Sequence, residues 1–279
     1  MKKGFLKIAA MSLAAVLCMG ALAGCGEKKD AEDQVNENPA TEAPKTEDKL
    51  IMGTNAAFPP FEFVTSKGLV DKFDGIDIAI AKKIADKMGK ELQIEDMEFE
   101  GLIAALNTGK VDIVLAGMTI KPDRQESVDF SEPYFNAVQV MVVQPDSDIA
   151  KAEDLKDGKK VGVITGYTGD SIVTDNLKIE EKNIVRMSRG IDAVQEVKNK
   201  KLDAVVIDSA TGKALASENG LKIVEDTEAF EAEEYAIAVP KGDAETLKTV
   251  NDVLKEMKES GEIDELAKKY NSEVEVPAE

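Results

Sequence analysis

One stretch, VDIVLAGMTIKPDRQESVDFSEPY at residues 111–134, gives the strongest indication of the fold. It begins with an apolar run typical of a buried parallel strand. Less regular positions, Ala116, Gly117 and Thr119, come next, and Arg124 follows a proline-initiated turn. In open α/β sheets, ligands bind just beyond the carboxyl ends of the strands. The stretch therefore predicts either an anion-binding arginine or an arginine that pairs with a nearby surface acid.

Arginine is rare in this chain. Only Arg124, Arg186 and Arg189 are arginines among the 35 basic residues, and the others are lysines. Arginine offers a planar fork that matches a carboxylate with two hydrogen bonds, whereas lysine is a mobile point charge. The residue type at position 124 therefore favours recognition of an anion.

Composition excludes several classes of function. The net charge is −19, and because residues 1–24 contain three lysines and no acid, it becomes −22 once they are removed. Such a chain repels nucleic acid and anionic membrane surfaces, so neither is an expected partner. The chain has no histidine, which excludes His-based triads and His-liganded zinc. We predict no catalytic residue, no metal and no cofactor.

The N-terminus has the pattern of a processing signal. A basic start and an apolar run at residues 8–22 precede Leu22-Ala23-Gly24-Cys25, which resembles the lipobox of bacterial lipoproteins. The alternative is an ordinary cleaved signal peptide followed by an incidental cysteine. We predict a signal peptide at residues 1–24, a lipid on Cys25 and a flexible tether at residues 25–48. This places the protein on the outer face of the cell membrane, extracellular or periplasmic, with the lipid as its only membrane contact.

Strands and helices are predicted to alternate through the rest of the chain. Hydrophobic spacing gives a first α/β set at residues 50–116 and a second set at residues 160–217. In the first set, Ile76, Ile80 and Ile84 have helical spacing and Gly89 is expected just past the end of that helix. In the second set, Ile184–Met187 is expected to be a strand. The segments Val138–Val143 and Tyr235–Val239 read as strands that bracket the second set. If both cross between lobes, lobe 1 comprises residues 49–138 plus 235–279 and lobe 2 comprises residues 139–234. Two connections of this kind permit hinge closure about a ligand.

Several segments together resemble a known family, the extracellular solute-binding proteins of bacterial amino-acid ABC importers, in their polar amino acid branch. The matching segments are TNAAFPPFEF (Thr54–Phe63), GIDIAIAKKIADKMG (Gly75–Gly89), MEFEGLIAALNTGKVDIVLAGMTIKPDR (Met97–Arg124), VDFSEPYF (Val128–Phe135) and LDAVVIDSA (Leu202–Ala210). The resemblance extends from about Leu50 to Tyr270. It implies an α/β fold of the two-lobed, type II periplasmic-binding-protein kind.

The resemblance also implies roles for individual residues. Arg124 would bind the ligand's carboxylate, and Asp208 would bind its α-ammonium from the other lobe. Alternatively, Asp208 caps the helix that follows it, and both roles can hold at once. Further contacts to the carboxylate are expected from the main chain at Ala116, Gly117 and Thr119, and from Tyr167 and Thr168.

The side-chain subsite is predicted from aromatic residues and one amide. Phe58 and Phe99 match positions that sandwich the ligand's side chain, although each could be an ordinary core phenylalanine. Asn55 stands where several relatives have Asp, and an uncharged amide favours a neutral polar ligand without excluding a cationic one. Glutamine, arginine, histidine and cystine all remain open as ligands.

The predicted function is a binding receptor that closes on a polar L-amino acid and delivers it to an ABC permease and its ATPase. We expect a monomer. A sensor lobe is a second class, but no transmembrane segment follows the fold in this sequence. An enzyme similar to periplasmic cyclohexadienyl dehydratases is a third class. It would need an acid-base group such as Glu62 or Glu132, and each of these could equally be a solvated loop acid.

Overall fold

Strands and helices alternate along the part of the chain that the structure describes. The computed structural model describes residues 48–272, with side chains up to Tyr270. The predicted signal peptide, Cys25 and nearly all of the predicted tether lie outside the described residues. The strands are β1 (Lys49–Thr54), β2 (Ala57–Phe58), β3 (Glu62–Val64), β4 (Phe73–Asp74), β5 (Glu91–Asp96), β6 (Ile113–Val114), β7 (Val128–Phe130), β8 (Phe135–Ala137), β9 (Gln139–Val143), β10 (Val161–Ile164), β11 (Ile184–Met187), β12 (Ala204–Asp208), β13 (Lys222–Val224), β14 (Glu233–Tyr235) and β15 (Ala238–Pro240).

The helices lie between these strands and at the end of the described chain. They are α1 (Ile76–Met88), α2 (Leu102–Asn107), α3 (Pro122–Gln125), α4 (Thr168–Ser171), α5 (Gly190–Lys198), α6 (Ser209–Asn219), α7 (Ala244–Ser260) and α8 (Glu262–Ser272). Short 3₁₀ turns cover Phe99–Gly101, Ala152–Lys156 and Glu181–Asn183, and a π-helical turn covers Ile172–Asn176. Within residues 48–272, no helix combines the length and the apolar character needed to cross a membrane.

The first sheet has the order β5-β1-β6-β15-β7. Strand β1 pairs in parallel with β5 and β6, and β15 pairs antiparallel with β6 and β7. Helix α1 packs beside it and buries Ile76, Ile80 and Ile84, as the helical spacing of the sequence predicts. Gly89 ends this helix in the left-handed conformation, with φ of 67°, which confirms its predicted place after the last helical residue.

The second sheet has the order β11-β10-β12-β9-β13. Strands β10, β11 and β12 are parallel, whereas β9 runs antiparallel to β12 and β13. Strands β9, β10 and β12 are buried along their whole length, which explains their continuous apolar sequences. The predicted α/β class is therefore confirmed.

A separate two-stranded ladder lies at the two places where the chain passes from one sheet to the other. Strands β8 and β14 pair antiparallel, with Phe135 opposite Tyr235 and Ala137 opposite Glu233. The chain enters the second sheet directly after β8 and returns to the first sheet directly after β14. The predicted single strand Tyr235–Val239 was wrong in this respect: it divides into β14 and β15, because its two halves pair with different partners.

Candidate ligand-binding site

Arg124 lies on the short helix α3 and is buried, with 6% of its surface exposed. Its guanidinium donates to the carbonyl of Thr119 at 2.7 Å and to the carbonyl of Gly166 at 2.9 Å, and it lies 5.1 Å from the ring centroid of Phe99. Burial lowers the pKa of Arg124 from its ordinary value. In the described part of the chain no carboxylate forms an ion pair with Arg124, so the interpretation as a surface ion pair is wrong.

Asp208 is the last residue of β12 and is also buried, at 4% exposure. Its Oδ1 accepts hydrogen bonds from the hydroxyl of Tyr235 at 2.6 Å and from the amide of Gln139 at 2.8 Å. Burial, followed by the nearby charge of Glu233, raises the pKa of Asp208 to about 7. Asp208 occupies the N-cap position of α6 but makes no side-chain cap hydrogen bond, so capping is not its role here.

The residues that hydrogen-bond to Asp208 and to the neighbouring Glu233 were not predicted from the sequence. The Gln139 amide bridges two carboxylates, because it also donates to Oε1 of Glu233 at 3.0 Å. The hydroxyl of Thr119 donates to the other oxygen of Glu233 at 2.7 Å. Gln139 is the single polar residue of buried strand β9, which is a pattern that could have indicated it. Glu233 resembles a solvated acid in the sequence because acids surround it.

The aromatic residues meet in one cluster. The Tyr167 ring lies edge-on to Phe58 at a centroid distance of 5.4 Å and to Phe99 at 4.6 Å. Its hydroxyl donates to Oδ1 of Asn55 at 2.9 Å, and the Asn55 amide donates to the carbonyl of Met97 at 2.8 Å. The phenylalanines predicted to sandwich a ligand therefore flank a side chain of the protein itself.

Two glycines let the main chain approach the site. Gly117 has φ of 52°, and a Cβ there would lie 2.6 Å from the Phe58 ring. Gly166 has φ of 80° and presents its carbonyl to Arg124. Left-handed conformations of this kind favour glycine. The amide of Gly117 donates to Oδ2 of Asp77 at 3.0 Å, so this donor is engaged by a buried acid.

Behind Gly117 lies a buried pair of acids, Glu62 and Asp77. Both are fully buried, and Asp77 also accepts from the hydroxyl of Tyr134 at 2.9 Å. Desolvation raises the pKa of Asp77 to about 6. Desolvation and the adjacent Asp77 raise the pKa of Glu62 well above its ordinary value. The interpretation of Glu62 as a solvated loop acid is therefore wrong, whereas Glu132 is exposed.

All but two of the predicted ligand-binding residues line one cavity. Its volume is about 10 Å³, and its lining comprises Phe99, Ala116, Gly117, Thr119, Arg124, Tyr167, Thr168 and Asp208. The other two, Asn55 and Phe58, contact Tyr167. Hydrogen bonds also join residues of the two sheet regions. These bonds join Arg124 to Gly166, Asn55 to Tyr167, Thr119 to Thr168 and Lys121 to Ser171.

The arrangement has one chemical consequence. The Arg124 guanidinium lies between β6 and β7 of the first sheet, and the Asp208 carboxylate ends β12 of the second sheet. Both line the same small cavity. Neither has an ion-pair partner among residues 48–270 of the protein. Opposite buried charges of this kind suit a ligand that carries both a carboxylate and an ammonium.

Comparison with known proteins agrees with this chemistry. Residues 50–273 match the family described as bacterial extracellular solute-binding proteins, family 3, and the chain belongs to that family. It is 37% identical to a probable histidine-binding protein of Neisseria gonorrhoeae, over 92% of this chain and 93% of the relative. It is likewise 37% identical to the arginine-binding extracellular protein ArtP of Bacillus subtilis, over 90% of this chain and 92% of the relative.

A solved structure is similar as well. The substrate-binding protein of an amino acid ABC transporter superposes with a TM-score of 0.74 at 41% identity, over 80% of this chain and 98% of that chain. The predicted two-lobed type II periplasmic-binding-protein fold is therefore confirmed. These relatives are named as binding proteins and not as enzymes.

Proposed function

We propose that this family 3 solute-binding protein is the receptor of an ABC importer, which captures a polar L-amino acid in the cavity and delivers it to a membrane permease with its ATPase. The observation that carries the proposal is the placement of Arg124 and Asp208. Both are buried, both line one cavity, and neither has an ion-pair partner among the described residues. Leaving two buried charges unpaired costs several kcal/mol, which a zwitterion between them offsets.

The two charges also support closure as the binding mechanism. We infer that residues 49–138 plus 235–279 form lobe 1 and residues 139–234 form lobe 2, with β8 and β14 as the hinge. Arg124 then belongs to lobe 1 and Asp208 to lobe 2, so a bound amino acid bridges the lobes. A cavity of about 10 Å³ is close to the minimum for one water molecule, so an amino acid has to enter while the lobes are apart.

The variants Arg124→Ala and Asp208→Asn test the proposal. Each removes one charge-assisted contact from a buried site and should weaken amino acid binding by an amount on the order of 2–5 kcal/mol. The matched controls are Arg189→Ala and Asp192→Asn, which alter an exposed ion pair on the surface and should leave affinity unchanged. Titration calorimetry measures all four variants. Unchanged affinity in Arg124→Ala or Asp208→Asn would remove that residue from the site.

The proposal includes no chemical turnover and a location outside the cytoplasm. We expect the bound amino acid to be recovered unchanged after incubation with the protein, and a new product in the mass spectrum would favour an enzyme. We further propose that Cys25 carries a lipid. In cells, Cys25→Ser should move the protein from the membrane fraction to the medium or periplasm. Membrane retention of the variant would show that Cys25 is not the anchor.

A further inference from the structure

Tyr167 occupies the place predicted for the side chain of a ligand. Its ring is buried between Phe58 and Phe99, with centroid distances of 5.4 Å and 4.6 Å. Tyr167 follows β10 of the second sheet, whereas Phe58 and Phe99 follow β1 and β5 of the first. The ring therefore reaches across the cleft into a pocket that the other sheet region builds.

The far end of this pocket holds one hydrogen-bond acceptor. Asn55 is fixed in orientation because its amide donates to the carbonyl of Met97, which leaves Oδ1 directed at the hydroxyl of Tyr167. A pocket with aromatic walls and a neutral acceptor at its end suits a flat or long side chain that ends in an N–H or O–H donor. The Tyr167 phenol meets both requirements, as would the side-chain amide of glutamine or the guanidinium of arginine.

An ordinary core tyrosine is the alternative role. Such a residue packs against its own sheet, whereas the described aromatic partners of Tyr167 belong to the first sheet region and its hydroxyl bonds to a residue of that region. Opening the cleft would withdraw the ring from its pocket and expose Asn55. Closure on an amino acid with a long side chain would then place two groups in competition for the same space.

We propose that Tyr167 is an internal competitor for the side-chain subsite and thereby sets the ligand preference of the protein. The inference rests on the proposed function and goes beyond it, because it assigns selectivity to one residue. A ligand with a long polar side chain has to displace the phenol from Phe58, Phe99 and Asn55. A ligand with a short side chain leaves the phenol in place.

The test compares glutamine with alanine in the purified protein by titration calorimetry. Tyr167→Thr removes the ring and should tighten glutamine binding about tenfold or more relative to alanine. Tyr167→Phe keeps the ring, loses only the hydrogen bond to Asn55, and should tighten glutamine binding by a smaller factor. Tyr270→Phe is the matched control, because Tyr270 is buried and its hydroxyl bonds to Asp74, yet it does not line the cavity. It should leave the affinity ratio unchanged.

Absorbance of the wild-type protein provides a second measurement, independent of the affinities. The chain has no tryptophan and four tyrosines, so the near-ultraviolet spectrum reports tyrosine environments. The glutamine-bound and alanine-bound wild-type proteins should differ in tyrosine absorbance, because only glutamine displaces the phenol from its pocket. Tyr167→Phe should lose most of that difference, and identical spectra of the two wild-type complexes would contradict the proposal.

The outcomes separate the two proposals. If the wild-type protein binds amino acids and Tyr167→Thr leaves the ratio of glutamine to alanine affinity unchanged or lowers it, the role of Tyr167 is refuted and the receptor function stands. If the wild-type protein and the variants bind no amino acid, both proposals fail.

Discussion

Amino acid binding should depend on pH through Asp208. Burial and the neighbouring Glu233 raise the pKa of its carboxyl to about 7. The ligand's ammonium binds the ionised carboxylate, so below pH 7 binding has to release a proton, and each further pH unit weakens binding about tenfold. Between pH 8 and pH 5 we expect the affinity to fall by roughly 100-fold.

A ligand without an ionisable side chain, such as glutamine, suits the assay because it does not titrate in this range. Titration calorimetry at pH 6, in two buffers of different ionisation enthalpy, counts the protons released, and we expect about 0.9 per bound ligand. Arg124 also faces the cavity, but arginine keeps its charge throughout this range. The pH dependence is therefore assigned to the carboxylates.

Two variants check that assignment. Asp208→Asn should bind weakly at every pH and lose most of the pH dependence. Glu233→Gln removes the neighbouring negative charge that, after burial, raises the pKa of Asp208, so the midpoint of its pH profile should move to lower pH. Affinity that stays within about threefold between pH 5 and pH 8 would refute the reasoning. An Asp208→Asn profile parallel to that of the wild type would assign the proton to another group.

Two further predictions concern stability, and urea denaturation measures both. Gly117→Ala places a Cβ 2.6 Å from the Phe58 ring and should lower the free energy of unfolding by about 1–3 kcal/mol more than its control Gly109→Ala. At Gly109 φ is also positive, at 75°, but no atom lies within 4 Å of the added Cβ. Equal losses of stability in the two variants would contradict the predicted overlap. The raised pKa of Glu62 means that the folded state keeps its proton while the unfolded chain loses it above the ordinary value of 4.5, so stability falls as the pH rises. Glu62→Gln should remove up to about 1.4 kcal/mol per pH unit of that decline, and parallel profiles for variant and wild type would show that Glu62 does not titrate as described.

The regular elements could be predicted because their causes are local in sequence. The spacing of Ile76, Ile80 and Ile84 defines the buried face of α1, and Gly89 supplies its left-handed end. Strand β11, Ile184–Met187, begins and ends where the sequence predicts. In contrast, the strand predicted at Tyr235–Val239 is divided, because its first part pairs with β8 and its last part pairs with β7 of the first sheet. A local sequence pattern does not indicate which strand a given strand pairs with.

The site was predictable to the extent that strand ends place side chains in one cleft. Arg124 follows buried strand β6 and Asp208 ends buried strand β12, and the family resemblance assigned both to one ligand, which agrees with their place in a common cavity. The direction of the Tyr167 ring could not be predicted, because it depends on how the two sheet regions meet. The burial of Glu62 was missed for a related reason: its sequence neighbours include a short strand and two prolines, whereas the groups that enclose it come from distant parts of the chain.

The central claim is that Arg124 and Asp208 form a site for a free amino acid. The most direct measurement is a titration of the purified protein, after any carried-over ligand has been removed by unfolding and refolding, against the twenty amino acids and cystine. We predict saturable binding of one ligand per protein for at least one polar L-amino acid, with no heat from its decarboxylated or deaminated analogue. Binding of no member of the panel, or equal binding of an analogue that lacks one of the two charges, would contradict the claim.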